Sequence, residues 1–219
     1  MLNLESYRPL HSNEHGMYRN LAPKNIVIHC SASRPGSWIS DAQTIDILHR
    51  DEFGWSGIGY HYVITRSGEI QQGRRLDRSA AAARGHNNDW HVCLIGGLDS
   101  EGKPTDAYED AQWSALEDLV KALLDKCVKD FGATPGVLGH NDLTALKVCP
   151  CFNVKVWWAN ILKETWGAGM KADGKTNKFP TPDADGPEYQ KLVREGRKKA
   201  IEEIEQAMKS KIINLIEGL

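Results

Sequence analysis

His29, His140 and Cys149 are side chains of the kinds that bind a metal, and each stands beside a short apolar run of this 219-residue sequence. His29 lies near the end of NIVIHCS (25–31), a β-branched stretch that predicts a buried strand. His140 and Cys149 flank a loop within GHNDLTALKVCPCF (139–152), which leaves a second apolar run, GVLG. One histidine from each of two strands, with a nearby thiolate, fills three corners of a tetrahedral site and leaves the fourth for water. A zinc ion so held lowers the pKa of that water from about 15.7 to about 7 and polarises a carbonyl. Taken singly, a histidine or cysteine near a strand end is more often structural than a ligand, and residues 139–152 alone leave both readings open. No glutamate stands in an H-E-x-x-H arrangement, so thermolysin-like chemistry is not indicated.

Such ligands need rigid mounts, and the remaining chain supplies them. SWISDAQTIDILHRDEFG (37–54) predicts a helix with a capping box from Ser40 to Gln43, stopped at Gly54. GYHYVITRSGEIQQGR (59–74) predicts a hairpin turning at Ser67-Gly68, and HVCLIGGLD (91–99) a central strand. From Tyr108 to Phe131 the residues Trp113, Leu116, Val120, Leu123 and Cys127 fall at helical spacing, and FNVKVWWANILKETW (152–166) predicts a further helix. Strands alternate with helices, which gives an α/β fold with a mixed central sheet flanked by helices. Four segments are expected: an N-terminal extension (1–20), a main domain (21–167), a Gly/Pro/Asp/Lys-rich linker (168–187) and a C-terminal amphipathic helix (188–219).

Composition sets limits on function. Apolar residues make up 41% and charged residues 26%, and the net charge of −2 gives no basis for a nucleic-acid partner. No run approaches the ~20 apolar residues of a membrane span, so no stable membrane insertion is expected. The N-terminal residues lack the apolar stretch of a signal peptide, which predicts synthesis in a cytoplasm. Five cysteines in such a setting fit reduced thiols better than a disulfide framework.

Several motifs occur together and in order: IHCSA (28–32), GYHY (59–62), VCLIGG (92–97), His140 and KVCP (147–150). The set resembles the zinc-dependent N-acetylmuramoyl-L-alanine amidases, a superfamily that includes the peptidoglycan recognition proteins. Within it the short-tailed coliphage lysozyme type is most similar, over about residues 25 to 166. The resemblance implies one zinc per chain held by His29, His140 and Cys149, with Tyr60 and Lys147 as catalytic residues. It implies cleavage of the amide joining N-acetylmuramic acid to L-alanine in peptidoglycan, with Lys147 and zinc stabilising the oxyanion and Tyr60 positioning water or relaying a proton. A phage endolysin is the leading expectation, made in the host cytoplasm and reaching the wall by holin-type or other release. A cytosolic amidase recycling muropeptides and a peptidoglycan-binding module are the alternatives. Some phage lysozymes of this type also bind the phage RNA polymerase, which makes that polymerase a candidate partner for the terminal segments. A monomer is expected. Two departures stand out: Ala82 occupies a place where relatives often carry histidine, with His86 close by, and the loop from His140 to Cys149 is about one residue longer than expected.

The other histidines and thiols read as structural. Cys30 adjoins His29 and points to the opposite face of a regular strand. Cys151 is a bystander, and His61 faces away from Tyr60, as a structural histidine or one that supports the site from behind. His91 precedes a strand and His49 lies on a polar helix face, and neither has assigned chemistry. Trp157 and Trp158 pack the last helix, while Trp38, Trp55 and Trp90 lie in or near loops.

Overall fold

A computed structural model describes residues 2–10 and 16–169. The C-terminal helix expected from 188 lies outside that range. Strands β1 (Asn25–Cys30), β2 (Tyr62–Ile64), β3 (Ile70–Gln72), β4 (Trp90–Leu94) and β5 (Gly136–Gly139) form one sheet in the order β3-β2-β4-β1-β5. The β1, β2, β4 and β5 pairings are parallel, and only the β2–β3 hairpin is antiparallel. It turns where expected, with Gly68 at φ +83° donating to the Thr65 carbonyl.

β4 and β1 lie inside the sheet and are covered on both faces, as the apolar runs require. One face gathers Ile26, Ile28, Trp90, Val92, Leu94, Tyr62 and Ile64 under helix α2 (Asp110–Phe131), through Leu116, Leu119, Val120 and Leu123. Trp90 is therefore a core residue rather than a loop residue, and its indole donates to the Leu76 carbonyl. The other face carries Val63 and Cys93, packed on Ala42 and Ile45 of helix α1 (Ala42–Ile47) and on Ile58. Buried Gln112 of α2 satisfies the carbonyls of Ile64 and Ile95 at 3.4 and 3.0 Å, closing the ends of β2 and β4.

The cap of α1 differs by one residue from the expected box. Asp41, not Ser40, is the N-cap, accepting from the Thr44 amide at 2.8 Å while Thr44 Oγ1 accepts from the Asp41 amide. A π-helical turn (Leu48–Glu52) continues α1, and fully buried Asp46 anchors it by accepting from the Ile58 amide and pairing with Arg50.

Helix α3 (His140–Leu143) follows β5 directly, and helix α4 (Val154–Gly169) packs back on β5 through fully buried Val154. α4 thus runs two residues past the expected domain boundary at 167. Trp157 and Trp158 pack partly buried against the α2 side of the core, as expected.

Gly97, at the end of VCLIGG, has φ +90°, and a Cβ there would lie 2.6 Å from Cys30 Sγ. Gly97→Ala is expected to cost about 2–4 kcal/mol, combining left-handed backbone strain with overpacking. The measurement is a lowered urea midpoint at unchanged slope.

Candidate metal centre and active site

The strand register explains how two histidines 111 positions apart come together. β1 and β5 run parallel with Ile28 opposite Gly139, so the next residues, His29 and His140, emerge side by side at the strand ends. Their rings lie 4.7 Å apart. The loop after α3 then folds back: the Asn141 amide donates to the Cys149 carbonyl at 2.8 Å, and the Cys30 amide donates to Cys149 Sγ at 3.1 Å. Tyr108 fixes the next residue by donating to the Pro150 carbonyl at 2.7 Å. Within the loop the Lys147 amide donates back to the Thr144 carbonyl at 3.3 Å.

His29, His140 and Cys149 thereby place one donor atom each within 4.8 Å of one another. His29 Nδ1 is 3.9 Å from Cys149 Sγ. Tetrahedral zinc, with bonds of about 2.0–2.1 Å to nitrogen and 2.3 Å to sulfur, needs a spacing of about 3.5 Å between such atoms. Two imidazoles and a thiol at these distances fit zinc in both size and softness.

The electrostatics agree with that fit. Burial, then the neighbouring His91 and His140, hold His29 well below the usual histidine range. Burial, then the charge of Lys147, lowers His140. Both rings are therefore neutral at physiological pH, the form that offers a lone pair. Contact with the Cys30 thiol, then burial, pushes the Cys149 thiol up despite the Cys30 amide bond, so its thiolate needs a cation beside it.

Tyr60 reaches the site as well, with its ring 5.2 Å from that of His29. Burial, then the nearby thiols of Cys93 and Cys149, raises the phenol well above its ordinary value, so it remains a hydrogen-bond donor. Lys147 is exposed on the folded-back loop.

Two expectations about the other histidines are overturned. His61 does not face away from Tyr60, because residues 60 and 61 precede β2 and do not alternate as a strand. Tyr60 lies by His29, and the His61 ring stacks 6.1 Å from His91. His49 is not on a polar helix face. It is buried, accepts from the Gly59 amide at 3.0 Å and lies against Trp55 and Tyr60, with ring centroids 4.6 and 5.6 Å away. His49 therefore shapes the segment that presents Tyr60. No sequence pattern pointed to it, since its partner is a backbone amide ten residues on.

His91 lies within β4, fully buried, with Nδ1 2.9 Å from His29 Nε2. Cys151 stays outside the three-donor group and contacts the Gly97 carbonyl at 3.3 Å. His86 pairs with Asp89 at 3.3 Å rather than joining the group, and the Ala82 amide bonds to Asn87. A cleft of about 650 Å³ lined by Tyr7, Arg19, Tyr62, Trp90 and Lys126 opens on the α2 side of the sheet and includes none of these histidines.

Two parallel strands and the loop that follows the second thus gather two histidines and a cysteine at the strand ends, a donor group that could hold a metal ion. A family model described as N-acetylmuramoyl-L-alanine amidase matches residues 19–152, and the chain belongs to that family. The endolysin of Escherichia phage T7 is 37% identical over 134 residues, which span 61% of this chain and 83% of that protein. The endolysin of Klebsiella phage KP32 is 35% identical over 134 residues, with the same coverage. Among solved structures, the N-acetylmuramoyl-L-alanine amidase LysC from Clostridium intestinale is 26% identical with a TM-score of 0.52. That match covers 68% of this chain and 87% of LysC.

Proposed function

We propose that the chain is a zinc-dependent amidase that cleaves the bond between N-acetylmuramic acid and L-alanine in peptidoglycan, and that it serves as a phage endolysin. The observation that carries the reading is the convergence of His29, His140 and Cys149 at the ends of β1 and β5. The endolysins of two phages at 35–37% identity support the biological role. Zinc at these donors supplies a Lewis acid and an activated water.

The chain's own residues do the rest. His29 and His140 approach from adjacent strands and orient the site, while Cys149 closes it from the loop. Lys147, whose charge is felt at His140, brings an ammonium to the rim where the oxyanion of the attacked amide develops. Tyr60 donates a hydrogen bond from its protonated phenol to orient water or the substrate carbonyl. Trp55, exposed beside His49, offers a flat apolar surface to a sugar ring.

The test is metal analysis of the purified full chain, together with release of L-alanine N-termini from sacculi. Protein without stoichiometric zinc that releases none sinks the proposal. Activity confined to soluble muropeptides, with intact sacculi untouched, would instead identify a recycling amidase. Lys147→Ala is expected to keep its zinc and lose about 10²–10³-fold in turnover, the usual loss for one oxyanion-stabilising group. A fully active variant would remove Lys147 from that role.

A further inference from the structure

We infer that His91 is a positioning residue for the metal centre, holding His29 in the one tautomer and ring orientation that presents Nδ1 to the metal. β1 and β4 pair with His29 opposite Cys93, so His91 is the diagonal neighbour of His29 on the same face. The two rings lie 5.1 Å apart, and His29 Nε2 is 2.9 Å from His91 Nδ1. The other end of the His91 ring fixes the sense of that bond. Its Nε2 is 2.9 Å from the His86 carbonyl, and a carbonyl only accepts, so the proton of His91 sits on Nε2. A second proton would place a cation in a fully buried position with no carboxylate bonded to the ring. Nδ1 of His91 therefore accepts, and His29 Nε2–H donates. The lone pair of His29 is left on Nδ1, the atom that faces Cys149.

The relay is itself held in place. The His91 amide donates to His61 Nδ1 at 3.0 Å, and His61 Nε2 donates to the Arg78 carbonyl at 2.9 Å. In the backbone, the His61 amide returns a bond to the His91 carbonyl at 2.9 Å. A run of three histidines thus ends on two backbone carbonyls and is directed toward one ligand atom. Metal-ligating imidazoles commonly bond through their second nitrogen to a carboxylate, carbonyl or water, and losing that partner costs about 10–100-fold in metal affinity. Here a second imidazole takes the place of the carboxylate.

The inference rests on the zinc reading above, and its test separates the two. Zinc affinity of the full chain is measured by chelator competition for wild type, His91→Leu and His91→Asn, with apo-protein unfolding midpoints alongside. His91→Leu is expected to bind zinc about 10–100-fold more weakly. His91→Asn keeps an acceptor oxygen near the Nδ1 position and is expected to recover most of that loss. Leucine binding as tightly as wild type, or asparagine as weakly as leucine in a folded protein, overturns the positioning role. Wild type that takes up no zinc fails the zinc reading instead. Long-range ¹H–¹⁵N spectra of wild-type apo-protein need no variant to fold. They are expected to show His29 protonated on Nε2 and bare on Nδ1, and the opposite tautomer overturns the inference.

Discussion

Replacing His29 by alanine is expected to empty the metal site and lower amide hydrolysis on the order of 10⁴-fold, about 5 kcal/mol in the barrier. The size follows from the zinc reading proposed above: a zinc ion held here would lower the pKa of water from about 15.7 to about 7 and serve as a Lewis acid, and both would go with it. The position makes compensation difficult. His29 is fully buried on a central strand, and its loss leaves only two candidate donors, His140 at the end of β5 and Cys149 on the loop that follows. The variant also leaves His91 without its ring partner, so some stability is lost along with the metal. Cys149→Ser separates the two effects, because it removes the soft ligand at the half-buried loop and leaves the histidine run intact. Zinc content, turnover and circular dichroism are read on both variants. Stoichiometric zinc in folded His29→Ala would refute its assignment as a ligand.

Acid is expected to unfold the metal-free protein earlier than its carboxylates alone would. Burial lowers His49 to about 4, His61 to about 3 and His91 to about 4, from an ordinary value near 6.5. Between those values and 6.5 the unfolded chain binds protons that the folded chain refuses. The stability from keeping these rings neutral is therefore complete above pH 6.5 and is lost as pH falls toward 4. Each such histidine contributes up to about 1.4 kcal/mol per pH unit in that window. From pH 7 to pH 5 the three together remove up to about 5 kcal/mol, comparable to the whole stability of many domains. The urea midpoint of apo-protein should fall steeply across this range. A flat midpoint down to pH 5 would show that the rings are protonated in the native state or exposed to solvent.

The central strands were legible because burial on both faces writes itself as unbroken apolar runs, NIVIHC and VCLI. Motifs in order single out His29, His140 and Cys149 as candidate donors, and the geometry explains why two of them meet: Ile28 opposite Gly139 sets His29 beside His140. The roles of His91, His61 and His49 were not legible. Each depends on which strand lies next to which, and on a backbone carbonyl or amide that a sequence pattern does not record. Alternation failed for Tyr60 and His61 because the strand begins two residues later than GYHYVI suggests. Asp41 displaced Ser40 as the cap of α1 because the aspartate and Thr44 bond reciprocally, and a pattern cannot rank neighbouring candidates by geometry.

The packing of α4 on β5 separates the segment matched by the family model from the unit that packs together. The family-model match ends at residue 152, yet fully buried Val154 and buried Ile161 come after it, on the helix that braces the edge strand carrying His140 at its end. A fragment cut at residue 152 would keep all three candidate donors and lose the helix that packs on the strand leading to His140. Anyone transplanting this module should set its border beyond the helix, because the matched segment and the packed unit end at different residues.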